Sequence, residues 1–209
     1  MKKKLILFDV DGTLVNSFPS YAKIMQIILP KFGREANEAQ LYKAFTMTDE
    51  QEVKYFKIPE FRVDDWNTEH NAAAKRTALQ PEDYPKVDEM FQHLLKQPEI
   101  KLGIVTSRTK EDAQENLQSF WWFQEMALVV TSSDTKKPKP AGEPIEFALN
   151  KLGYRRDEAF YIGDADTDEQ AALNAGVSFG GALWGTGTKD HFKSDPLLLD
   201  SPADIIRAL

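Results

Sequence analysis

The chain has 209 residues, 42% of them hydrophobic, enough for one large domain or a domain with a substantial insertion that folds without cross-links. It contains no cysteine, which excludes disulfides, thiolate zinc sites and a cysteine nucleophile, and leaves any metal to oxygen or histidine ligands. Its net charge of -7 disfavours nonspecific nucleic-acid binding, and an anionic substrate then requires a local positive site. The basic start, Met1 to Lys4, precedes an apolar run too short for a signal-peptide core, and no stretch approaches a membrane span. The expectation is a soluble, cytoplasmic protein that engages neither nucleic acid nor membrane.

Read in chain order, the first element is an apolar strand at Lys4–Phe8 that stops in FDVDGT. Asp9 and Asp11 start on one face of that strand, so two like charges lie close together and repel unless a cation or a proton sits between them. From about Asn16 to Gln80 helical patterns follow, including Ile24, Ile27 and Ile28 and the alanine-rich Asn71–Leu79, with no convincing strand. Val87, Met90, Phe91, Leu94 and Leu95 mark the next helix face, and Ala113, Leu117, Phe120 and Trp121 another. Pro144 opens a helix through Ile145, Ala148, Leu149 and Leu152 that Gly153 closes. Strands are expected at Leu102–Val105, Ala127–Val130, Ala159–Ile162 and Val177–Phe179, making about five with the first. Strands alternating with helices predict an α/β protein with a doubly wound, Rossmann-like parallel sheet. The predicted division is a core of residues 1–15 and 81–209 and an all-helical insertion of residues 16–80.

Ligands of such sheets bind at the carboxyl ends of strands. Four predicted ends carry complementary groups: Asp9 and Asp11; Thr106, Ser107 and Arg108; Lys137 in KKPKP; and Asp164 and Asp168 in GDADTD. Carboxylates without cysteine or clustered histidine suit magnesium. A hydroxyl and a lysine are what the oxygens of a transferring phosphoryl group require. Together they describe phosphoryl transfer.

FDVDGT, VTSR, KKPKP and GDADTD, in this order, resemble the four motifs of the haloacid dehalogenase (HAD) superfamily. The helical insertion between the first two resembles the cap of its phosphoglycolate phosphatase-like and β-phosphoglucomutase-like branch. The resemblance covers essentially the whole chain and is strongest in the core. It implies that Asp9 is the nucleophile and forms an aspartyl phosphate, and that Asp11 protonates the leaving oxygen and then activates water. Thr106 would hydrogen-bond the phosphoryl group and Lys137 would offset its charge, with Ser107 and Arg108 at the substrate. Mg2+ would be held by Asp9, the backbone carbonyl of Asp11 and Asp164, with Asp168 orienting the metal shell. Relatives that are dehalogenases or phosphonatases lack an aspartate at the position of Asp11, so the second carboxylate points to phosphate monoesters.

Lys136 and Lys139 read as solvated, and Arg108 either touches substrate or faces water. His70, His93 and His191 are isolated, Trp121-Trp122-Phe123 reads as packing, and GTGTK at Gly185 reads as a loop after the last strand. The implied activity is a magnesium-dependent phosphatase of a small phosphorylated metabolite, phosphoglycolate at family level, working as a monomer or homodimer. A sugar phosphomutase and a phosphoacceptor or binding module without turnover are the alternatives. Arg34, Lys43, Lys54 and Arg62 are candidate substrate contacts in the insertion, and Phe45-Thr46-Met47-Thr48 departs from the glycine-containing loop of relatives.

Overall fold

A computed structural model describes residues 4–77 and 81–208. In chain order the strands are β1 (Leu5–Phe8), β2 (Val15–Asn16), β3 (Glu82–Asp83), β4 (Lys101–Val105), β5 (Leu128–Val130), β6 (Ala159–Gly163), β7 (Ser178–Ala182) and β8 (Leu197–Leu199). The helices are α1 (Phe18–Ile28), α2 (Glu38–Phe45), α3 (Asp49–Tyr55), α4 (Val63–Thr77), α5 (Val87–Leu94), α6 (Lys110–Leu117), α7 (Glu143–Leu152), α8 (Asp166–Ala175) and α9 (Pro202–Ala208). The last residues of the alanine-rich Asn71–Leu79 pattern, Ala78 and Leu79, and the expected boundary at Gln80 lie outside the described residues.

Six strands form one sheet in the order β5-β4-β1-β6-β7-β8, every pair parallel. Parallel strands need crossovers, and the helices supply them on both faces. The side-chain period of two sorts each strand between two cores. Ile6 and Phe8 of β1, Leu102 and Ile104 of β4, and Phe160 and Ile162 of β6 pack on α5, α6 and α9 through Phe91, Leu117 and Ile205. Leu5 and Leu7, Val105, and Ala159 and Tyr161 pack on α7 and α8 through Ile145, Ala148 and Ala172. The sheet is doubly wound, as the alternation predicts.

The sixth strand, β8, is additional to the five expected, because LLL in PLLLD is too short to show periodicity and pairs only through β7. The strand expected at Val177–Phe179 runs to Ala182, because Gly180 and Gly181 are tolerated where Phe160 and Phe192 occupy the space a Cβ would take. Trp122 lies fully buried, stacked on Phe91 and Phe120, while the indole of Trp121 donates to Asp88.

The chain divides into two compact units, Met1–Val15 with Asp83–Leu209, and Asn16–Glu82. The second unit is helical and has its own core of Phe18, Ile24, Met25, Ile28, Phe32, Leu41, Phe56 and Trp66. Asn37 with Gln40, and Thr48 with Gln51, form capping boxes that start α2 and α3. Among the described residues no helix is long and apolar enough to cross a membrane.

Candidate active site

The site follows from strand register. Leu7 of β1 pairs with Tyr161 of β6, and Asp9, two residues on, keeps the same parity while its N–H donates to the Ile162 carbonyl at 2.8 Å. Asp9 therefore leaves the sheet on the Tyr161 side. There the Lys139 ammonium donates to Asp9 Oδ1 at 2.7 Å, to Asp168 Oδ1 at 2.6 Å and to the Tyr161 hydroxyl at 3.1 Å. All four residues are buried.

The lysine is Lys139, not Lys137. Lys136 and Lys137 are exposed, whereas Lys139 is 6% exposed, so both the placing of Lys137 in the site and the reading of Lys139 as solvated are corrected. The reason is the path of the loop between β5 and α7. Its turn, closed by the Ala141 N–H on the Pro138 carbonyl, puts Lys139 at the corner that enters the strand ends. The Lys139–Pro140 peptide in that turn is cis.

Asp164 follows β6 directly and is 2% exposed. It accepts the Thr13 hydroxyl at 2.9 Å and the Thr186 hydroxyl as well. Gly12, at φ +85°, lies so close that a Cβ there would sit 2.2 Å from Asp164 Oδ2, which explains the glycine in DGT. Asp168 is in the first turn of α8 and also accepts the Ala165 N–H, so it caps the helix and serves the site together. Tyr161 donates to Asp168 at 2.9 Å.

Carboxylate oxygens of Asp9, Asp164 and Asp168 lie within 4.8 Å of one another. Three buried acids face one buried ammonium. Burial, with Asp168 and Asp164 adding to it against Lys139, lifts the Asp9 carboxyl well above the carboxylate range. Burial, then Asp168, pushes Asp164 up to about 7 against the hydroxyl bonds of Thr186 and Thr13. Burial opposes the charge of Lys139, yet Asp168 and Asp9 outweigh it and hold the ammonium well above its ordinary value. A hard cation with oxygen preference is what this deficit of positive charge fits, and the donor set suits Mg2+. Asp11 is not in this cluster. Its carboxylate turns to Arg108, whose Nη2 and Nε donate to Oδ1 and Oδ2, each at 2.7 Å.

Thr106 follows β4, is 4% exposed, and its hydroxyl accepts the Arg108 N–H at 3.2 Å. Ser107 is exposed beside it. Thr186 and Tyr161 join the site without having been singled out by sequence pattern. GTGTK lies between β7 and β8 and returns to the site: Gly185 packs against the Gly12 carbonyl and the Trp184 indole donates to the Thr13 carbonyl at 2.8 Å. The available signal is the glycine spacing, which matches no nucleotide loop and so reads as a plain connection. In the helical unit, Arg34 donates to the carbonyls of Phe56 and Lys57, Lys43 lies over Tyr55, Lys54 pairs with Glu50, and Arg62 lies over Phe32 and pairs with Asp65. Each candidate contact there is engaged within its own unit.

A family model described as haloacid dehalogenase-like hydrolase matches residues 6–182. A Bacillus cereus protein named pyrophosphatase PpaX is 29% identical over 100% of this chain and 97% of its own. A namesake from Halalkalibacterium halodurans is 30% identical over 97% and 95%. A solved structure from Lactobacillus plantarum, provisionally named a phosphoglycolate phosphatase, is 33% identical, covers 100% of both chains and superimposes with a TM-score of 0.92. A haloacid dehalogenase-like protein from Bacteroides fragilis, 22% identical with a TM-score of 0.89 over 98% of this chain and 100% of its own, shares the fold.

Proposed function

The chain belongs to the haloacid dehalogenase-like hydrolase family and is a phosphatase, and from that premise we propose that it hydrolyses a small phosphorylated metabolite with Mg2+, through an aspartyl phosphate on Asp9. The observation that carries this reading is the single Lys139 ammonium set among Asp9, Asp164 and Asp168. Asp9 attacks phosphorus, and Lys139 offsets charge on it and on the phosphoryl oxygens. Asp11 protonates the leaving oxygen and then takes a proton from the water that hydrolyses the intermediate. The Thr106 hydroxyl donates to a phosphoryl oxygen, with Ser107 at the same strand end. Asp9, Asp164 and the backbone carbonyl of Asp11 would hold the metal, which would supply positive charge to offset that of the phosphate. Asp168 and Tyr161 fix the lysine.

Phosphoglycolate-type monoesters are the first substrate class, supported by the name of the Lactobacillus plantarum protein at 33% identity. Inorganic pyrophosphate is the second, supported by relatives of that name matched over nearly their full length. The cysteine-free chain fits work in the cytoplasm, as a monomer or homodimer. Phosphate release is measured from phosphoglycolate, a set of sugar phosphates and pyrophosphate, each with magnesium and with EDTA. Metal-dependent release with one preferred compound is expected and identifies the substrate class. Release that is equal in EDTA, or absent for every compound, overturns the proposal.

A further inference from the structure

The guanidinium of Arg108 is committed on both edges. Toward the site it makes a two-pronged fork on Asp11, Nε to Oδ2 and Nη2 to Oδ1, both at 2.7 Å. Such paired, charge-assisted bonds fix a carboxylate in plane as well as in distance. Away from the site Nη1 donates to Asp112 Oδ2 at 2.9 Å, in the first turn of α6. Asp112 is held in turn: Asn116 donates to its other oxygen at 2.7 Å, and its N–H donates to the Thr109 hydroxyl at 3.2 Å.

The backbone of Arg108 is fastened as well. Its N–H donates to the Thr106 hydroxyl, and its carbonyl accepts the Ser132 N–H at 3.0 Å and the Ser132 hydroxyl at 3.2 Å. The Arg108 side chain is 14% exposed against 28% for Asp11, so the fork is the more enclosed partner. Of the five N–H groups of this guanidinium, two are given to Asp11 and one to Asp112. The arrangement spends its two-pronged face on Asp11 and is well made for aiming that carboxylate.

We propose that Arg108 is a positioning residue that acts on the reaction through Asp11, holding its carboxylate in the one direction from which it meets the leaving oxygen. This rests on the reading of Asp11 as the acid–base group. A carboxyl group has about four lone-pair sites and the fork takes one on each oxygen, so the proton that Asp11 gives to the leaving oxygen is carried at one of the remaining sites and its departure leaves the ionised carboxylate on the fork. Asp112 and Asn116 stiffen the fork from behind, as a supporting shell does for a catalytic group. Arg108, which sequence alone leaves either at the substrate or in water, thus works one step removed from the substrate.

The test follows the first chemical step alone, by single-turnover release of the phenol from two probes with magnesium present. Phenyl phosphate has a leaving group that needs a proton, and p-nitrophenyl phosphate has one that does not. Arg108→Met is expected to slow phenyl phosphate about 10- to 100-fold and p-nitrophenyl phosphate no more than about threefold, the loss expected when a general acid is misplaced. Substrate concentration at half-maximal rate stays within about threefold, and Arg108→Lys recovers part of the loss. Asp112→Ala, which leaves the fork but removes the acceptor behind it, gives a smaller loss of the same pattern. In the Asp11→Asn background Arg108→Met adds nothing further.

Equal losses for the two probes, a raised half-saturation concentration with an unchanged maximal rate, or losses that add in the Asp11→Asn background each overturn the proposal. If Asp11→Asn alone slows both probes equally, the acid role of Asp11 fails instead, and Arg108 loses its target. Circular dichroism of each variant keeps a folding defect apart from these outcomes.

Discussion

The two units of this chain each bury acidic side chains, and the contrast separates a reactive site from a structural one. In the helical unit Glu52, 8% exposed, accepts a hydrogen bond from the Tyr21 hydroxyl and another from Trp66. Those donors come from α1 and α4, so one acid on α3 ties three helices together. Burial lifts its carboxyl to about 7 while the Tyr21 and Trp66 bonds oppose the shift. In the α/β unit Asp9, Asp164 and Asp168 are gathered within reach of one another around one ammonium. A lone buried acid with neutral donors is satisfied. Three clustered acids, two of them bonded to the one lysine, remain short of positive charge, and only a cation or protons can make up the difference.

The sharpest way to break this contrast is to remove the nucleophile. Asp9→Asn nearly preserves shape and is expected to lower turnover on the order of 10⁴-fold or more with the fold intact, as loss of a nucleophile does. Steady-state phosphate release and a thermal melt check both halves. Persistent metal-dependent turnover in a pure preparation contradicts it.

Next in size is the lysine. Lys139→Met leaves Asp9 and Asp168 buried without their partner. It should cost about 10²- to 10³-fold in kcat and about 3–5 kcal/mol in stability, the penalty for breaking a buried pair from one side. Lys137→Met, at an exposed position, should leave both unchanged. A loss at Lys137 with none at Lys139 would reverse the assignment.

Thr186→Val removes one of two hydroxyls that fix Asp164. Apparent magnesium affinity, read from the metal dependence of phosphate release or by calorimetry, should fall about 10-fold. Ser133→Ala, which removes a hydroxyl that accepts the Lys110 N–H, should leave it unmoved.

The smallest effects are in the pH dependence of stability. A carboxyl whose folded pKa stands above its unfolded value binds its proton more tightly when folded. Its contribution is full below the unfolded value and is lost as pH rises through the folded one. For Asp164 that window runs from 3.8 to about 7, and for Glu52 from 4.5 to about 7. The metal-free protein should therefore lose stability as pH climbs through this range. Magnesium at about a hundred times its dissociation constant should restore about 2.7 kcal/mol at the upper end. Glu52→Gln should flatten the remaining slope without changing the magnesium response. Melts at a series of pH values, with and without magnesium, separate the two contributions.

The legible parts of the molecule are those written in local pattern. Runs such as LILF and AFYIG are buried on both faces and end in small or polar residues, so five strands and their order along the chain can be read from the amino-acid sequence alone. β8 cannot, because three leucines gain meaning only from pairing with β7. Asp9, Thr106, Asp164 and Asp168 are legible because each directly follows a strand or opens a helix, and parallel strands bring such positions to one edge. The lysine is not. Three lysines in KKPKP are equivalent until a loop of fixed length decides which reaches inward. Thr186 and Tyr161 are hidden for related reasons: one returns from a long loop, and the other is in the middle of β6 and resembles any core aromatic. Arg108 stands out in VTSR, but its direction depends on Asp11 and Asp112 together, which no spacing reveals.

The most direct measurement is to trap the intermediate. The protein is mixed with magnesium and the substrate that the phosphate-release panel prefers, quenched in acid within a single turnover, reduced with borohydride and mapped by peptide mass spectrometry. An acyl phosphate is reduced to the alcohol, so homoserine at position 9, dependent on substrate and absent when EDTA replaces magnesium, is the predicted result. Substrate turnover with homoserine at another aspartate, or with every aspartate intact at all quench times, contradicts Asp9 as the residue that takes the phosphoryl group.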